Sequence, residues 1–126
     1  MSLRNPLATA KGLGSAKTGT SHWWAQRVSA LALIPLSLWF AVSVLQLVHA
    51  DYVVVINWLH APWTAVLLSL FLFTVFYHAY LGLQVVVEDY VHMEWLKITM
   101  LLIIKFICIL FAAAGIFTAL RIAFGA

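Results

Sequence analysis

Three long stretches of this chain carry almost nothing but apolar side chains: 28–48, 62–87 and 98–124. Each reaches or exceeds the ~20 residues that an α-helix needs to cross a hydrocarbon layer ~30 Å thick. A backbone in lipid must satisfy its own hydrogen bonds, so these runs predict helices. Pro35 falls inside the first run, where it either bends the helix mildly or is tolerated within a bundle. Polar positions collect before and between the runs. The 49–61 connector holds Asp51 and no Lys or Arg; the 88–97 connector holds three acids and one Lys; residues 1–27 hold four basic side chains and no acid.

The pattern predicts an all-α integral membrane protein with three transmembrane helices, about 28–48, 62–87 and 98–124. A flexible basic arm, 1–26, precedes a three-helix anchor domain, 27–126. Lys and Arg in short loops set orientation, and acids count for little. The four basic residues place the N-terminus in the cytoplasm, the 49–61 connector outside, the 88–97 connector inside and the C-terminus outside; Arg121 alone opposes this. Trp23, Trp24, Trp58, Trp63 and Trp95 flank the runs, as an aromatic belt at the two interfaces would.

Composition agrees. Of 126 residues, 65% are hydrophobic and 9% charged, too little charge to cover a soluble domain. The mean hydropathy is +1.04. The single cysteine, Cys108, excludes a disulfide within the chain and reads as a small apolar helix residue. Nothing in the composition points to nucleic acid. The arm has no apolar core before a small-residue cleavage site, so it is not a secretory signal. It is also too short, and not amphipathic enough, for a clear transit peptide, which favours a bacterial inner membrane over a mitochondrial one.

Charged groups in or near lipid demand a reason. Arg27 opens the first run after the tryptophan pair, as a headgroup anchor or as a cation for an acidic ligand group. Lys105 lies eight residues beyond Lys97, about 12 Å further along a helix; either the helix projects into the cytoplasm or the side chain snorkels. His78 is different. It sits ten residues before Glu88, roughly 15 Å below the surface, too deep to snorkel. It either hydrogen-bonds a neighbouring helix or ligates a cofactor, since neutral imidazole is a common haem ligand. Gly82, four residues on, shares its helix face and leaves room for a flat macrocycle or for close helix packing. Asp89 falls close to the same face, and Tyr90 follows it at the interface, where a phenol can donate to a carbonyl.

Two segments make a more specific pattern: His22-Trp23-Trp24-Ala25-Gln26-Arg27 leading into Ser29-Ala30-Leu31, and His78-Ala79-Tyr80-Leu81-Gly82 followed by Gln84-Val85-Val86-Val87-Glu88-Asp89-Tyr90-Val91. With the three-run layout they span almost the whole chain. This resembles the hydrophobic membrane anchor subunits of succinate dehydrogenase, the D-type cytochrome b subunits of respiratory complex II. The resemblance implies a chain that is not catalytic alone. It would work with a second three-helix anchor subunit, an iron–sulfur subunit and a flavoprotein subunit that oxidises succinate. It implies one haem b held between the anchors, with His78 as one axial ligand and the other histidine supplied by the partner. It implies a ubiquinone site with Tyr90 on a quinone carbonyl and Asp89 supporting proton supply, Arg27 near the haem propionates, His22 on the same polar surface, and Gly82 packing against the haem. Two alternatives stand beside it: the anchor of a related fumarate reductase or other quinone-linked cytochrome b, and a non-redox helical membrane protein with His78 merely hydrogen-bonded.

Overall fold

The computed structural model describes residues 6–10 and 19–125. Arg4, Lys11 and Lys17, three of the four charges on which the orientation rests, lie outside the described residues. The elements are a single-turn helix α1 (Pro6–Ala10), then α2 (Gly19–Leu47), α3 (Tyr52–His60), α4 (Pro62–Tyr90) and α5 (Glu94–Ala123). The helices α2, α4 and α5 are long and apolar enough to cross a membrane, as the three runs predict. At 1.5 Å per residue each extends over about 43–45 Å, so all three overrun the hydrocarbon layer.

The helices differ from the apolar runs mainly at their ends. α2 begins at Gly19, well before the apolar run, because helix formation continues through polar residues that contain no breaker. Arg27 therefore stands two turns inside α2 instead of opening it. The chain passes through Pro35 without interruption. α4 starts with Pro62 at its first turn, where a missing N–H costs nothing, and runs on to Tyr90. The Val91 N–H still donates to the Val87 carbonyl at 2.9 Å, and the Lys97 N–H to Met93 at 2.9 Å, so the turn into α5 is only 91–93. Asp89 and Tyr90 thus belong to the last turn of a helix. The 49–61 connector contains α3. Asp51 precedes it in extended conformation, and its carbonyl accepts from the N–H groups of Val54 and Val55 at 3.0 and 3.2 Å.

α4 is the central helix, with α2 packed along one side and α5 along the other; α3 touches α4 and α5. The buried positions are mostly small: Ser29 and Ser43 on α2, Thr64, Ala65 and Thr74 on α4, Ala119 on α5, with Leu81 and Val87 the larger members. In lipid, apolar bulk gives helices no reason to associate, whereas small residues let backbones approach and gain dispersion contacts. The Ser43 and Thr74 hydroxyls donate back to the Trp39 and Leu70 carbonyls at 2.9 and 2.7 Å, so their burial leaves no proton unpaired. A Cβ on Gly115 would lie 3.1 Å from Leu72 Cδ1, which marks Gly115 as a position where α5 meets α4 closely. Aromatic stacks add to the seams: Trp39 on Trp58 ties α2 to α3, Phe40 on Phe71 ties α2 to α4, and Phe76 on Phe111 ties α4 to α5. Such pairs contribute about 0.5–1.5 kcal/mol beyond their buried area. Large apolar side chains such as Leu38, Leu45, Phe106 and Phe117 point outward, as a helix bundle solvated by lipid requires.

Candidate functional site

His22, Gln26 and Ser29 stand at i, i+4 and i+7 on α2, one stripe of the helix surface. They face α4, where His78 and Gly82 stand one turn apart. The Ser29 Oγ lies 2.9 Å from His78 Nδ1, and the Gln26 Nε2 lies 3.5 Å from His78 Nε2. The Ser29 hydroxyl also donates to the Gln26 carbonyl at 3.0 Å. A polar seam therefore runs along the α2–α4 interface.

Two atoms of this seam are buried without a hydrogen-bond partner, Gln26 Oε1 and His22 Nε2. An unpaired buried polar atom costs about 1–3 kcal/mol, and two in one seam leave hydrogen-bonding capacity there; a third, Ser69 Oγ, lies elsewhere on α4. Gly82 points the same way. A Cβ placed there would meet one atom within 4 Å, Gln26 Nε2 at 3.6 Å, an ordinary contact. Close approach of α2 and α4 thus does not require a glycine at this position, whereas the α4–α5 contact presses on Gly115. Beside the seam, α2 and α4 flank an open hollow of about 400 Å³ whose lining includes Trp24, Val28, Ser29, Phe73 and Tyr77. Its size and aromatic lining match those of ligand clefts.

The expected site residues fall into two groups. His78, Gly82 and His22 lie in or beside the seam. Arg27 does not: it is exposed, with its guanidinium 4.3 Å from the Trp23 ring centre, a cation–π contact on the outer face of α2. Asp89 and Tyr90 are exposed at the end of α4, Tyr90 by 79%. Among the described residues, no hydrogen bond or ion pair links either of them to the seam. Lys105 lines a separate apolar cavity of about 220 Å³ between α4 and α5 with Tyr77, Tyr80 and Cys108. The described residues contain no group of three or more potential metal-ligating side chains.

The residues that sequence reasoning passed over are Gln26 and Ser29. Both are in the quoted motif, but neither was given a role. The signal was present: three polar side chains at i, i+4 and i+7 entering an apolar helix cannot all face lipid. His22, read as outside the spans, is part of the same helix face.

The structure defines a class: a helical membrane protein with three long apolar helices, in which His78, midway along the second of them, is held by the first, α2. The family model for the succinate dehydrogenase/fumarate reductase transmembrane subunit matches residues 1–114, and the chain belongs to this family. It is 37% identical over 113 residues to the succinate dehydrogenase hydrophobic membrane anchor subunit of Rickettsia bellii, covering 90% of each chain. The anchor subunit of Rickettsia conorii is 36% identical over 82% of each chain, and that of Paracoccus denitrificans 33% identical over 68% of this chain and 66% of its own. No solved structure matches the chain.

Proposed function

We propose that this chain is the hydrophobic membrane anchor of a succinate:quinone oxidoreductase in a bacterial inner membrane. The relatives supply the enzyme, being themselves named succinate dehydrogenase anchor subunits. The resemblance to that family supplies the partners and the quinone. In this reading it anchors a flavoprotein and an iron–sulfur subunit to the bilayer, pairs with a second three-helix anchor subunit, and helps form the ubiquinone site. The basic N-terminal arm faces the cytoplasm, which puts the α4–α5 turn on the same side as the catalytic subunits.

The observation that carries this reading is the seam around His78. Its residues fit half of a haem b site. One imidazole is presented at mid-depth with one ring nitrogen engaged by Ser29 and the other met only by a long amide contact. A glycine that the helix packing does not need stands on the same face. Orphaned polar atoms on Gln26 and His22 leave hydrogen-bonding capacity for a group from outside the chain. His78 would hold the haem from this side, with a second histidine supplied by the partner anchor subunit; His22 would meet the haem propionates, and Arg27 would do so only by turning away from Trp23 on the outer face of α2. When bound, the haem supplies one-electron redox chemistry within the dry interior. At the end of α4, Tyr90 would donate its phenol proton to a quinone carbonyl, and Asp89 would relay protons from the cytoplasmic surface.

The decisive experiment is a reduced-minus-oxidised spectrum of the purified intact complex, wild type against His78→Ala. Loss of the b-type haem bands in the variant is expected. A variant with unchanged haem content and band shape removes His78 as ligand, and a wild-type complex without b-type haem leaves a non-redox anchor as the reading.

A further inference from the structure

We infer that Ser29 is the positioning residue that fixes the tautomer of His78, leaving Nε2 as the nitrogen with the free lone pair. The inference rests on the haem reading for its purpose, and on the hydrogen bonds of this chain for its content.

The Ser29 hydroxyl has one proton. It donates that proton to the Gln26 carbonyl three residues back, at 3.0 Å. What it turns toward His78 is therefore a lone pair, at 2.9 Å from Nδ1. Two lone pairs do not rest 2.9 Å apart, so the proton between them belongs to Nδ1, and Nδ1 donates to Ser29 Oγ. A neutral imidazole has one ring proton, so Nε2 is bare. The Gln26 contact is compatible with this. With the amide nitrogen of Gln26 turned toward Nε2, a donor meets a lone pair there. At 3.5 Å this contact is weak, so a metal ion competing for Nε2 displaces little. Ser29 is only 5% exposed, so water does not take its place.

The consequence is electronic as well as geometric. An imidazole that donates its remote N–H to an acceptor is a more basic ligand, fixed in rotation, and such supporting partners are worth 10–100-fold in metal affinity. A more basic ligand favours the oxidised metal. Ser29 therefore lowers the reduction potential of whatever iron His78 holds.

The test uses the intact complex with Ser29→Ala and Ser29→Thr, reading haem retention on dilution and the haem midpoint potential by spectroscopic redox titration. Ser29→Ala should lose haem 10–100-fold more readily and titrate at a higher potential. Ser29→Thr, which keeps the hydroxyl, should match the wild type in both. The inference is overturned if Ser29→Ala matches the wild type, or if Ser29→Thr is displaced as far as Ser29→Ala. If the Ser29→Ala complex does not assemble, Ser29→Cys, a weaker acceptor of similar size, replaces it; an upward shift supports the inference and no shift overturns it. His78→Ala separates the two levels. If it loses the haem while Ser29→Ala is silent, only the role of Ser29 fails. If it keeps the haem, the haem reading fails and the inference with it.

Discussion

Ser29 Oγ and His78 Nδ1 lie 2.9 Å apart across the α2–α4 interface, 49 residues apart in the chain. This bond joins the N-terminal motif to the central helix and holds the ring orientation of His78.

The two glycines on the helix interfaces should respond differently to alanine. Helix propensity favours alanine by about 1 kcal/mol. At Gly82 the added Cβ makes only an ordinary contact, 3.6 Å to Gln26 Nε2, so Gly82→Ala should leave thermal stability equal or slightly higher. At Gly115 the Cβ would stand 3.1 Å from Leu72 Cδ1, and repacking of Leu72 should offset most or all of the gain. If Gly82 serves the haem, Gly82→Ala should lower haem occupancy while unfolding in detergent is unchanged; equal occupancy would return Gly82 to a plain helix position.

Tyr90→Phe removes one phenol proton donor from an exposed helix end and should leave the fold intact. The rate of quinone reduction should fall by about 10-fold, as expected when one hydrogen bond of about 1–1.5 kcal/mol to the reacting carbonyl is lost. Succinate oxidation measured with an artificial acceptor should not change. Unaltered quinone kinetics would take Tyr90 out of the site.

Trp39 and Trp58 stack at 5.9 Å with their planes 21° apart. This is the aromatic bond between α2 and the short helix α3, which has no buried residue of its own. Trp58→Ala should destabilise the chain by about 1–3 kcal/mol, from the stack and the lost apolar area, and should increase amide exchange in α3 before α4. Exchange rising equally in all helices would show that α3 is not held this way.

Lys97 and Glu94 form an ion pair at 3.8 Å, three residues apart at the start of α5, with the Glu94 side chain largely exposed. Exposed pairs of this kind contribute about 0–1 kcal/mol. Lys97→Ala should leave the unfolding midpoint within error in moderate salt. A large loss of stability would mean that Lys97 is engaged by another subunit.

The sequence by itself determined the number of long apolar helices, their order and the place of His78 midway along the second of them. Apolar run length and the demand for internal backbone hydrogen bonding leave little freedom there, and both are local properties. It also placed Gly82 on the His78 face, since helical spacing alone decides this. What it did not determine were helix ends and helix faces. α2 begins before its apolar run, and α3 lies in a connector, because helices continue wherever no residue forbids them, whether or not lipid surrounds them. Only the tertiary structure decided which side of α2 meets α4. That rotation is set by small buried residues and stacked rings contributed by several helices, and it brings Gln26 and Ser29 to His78 while leaving Arg27 outside. The ring of His78 is oriented by a hydroxyl 49 residues away, and no periodicity within either helix encodes that distance; it arises from packing the two helices together.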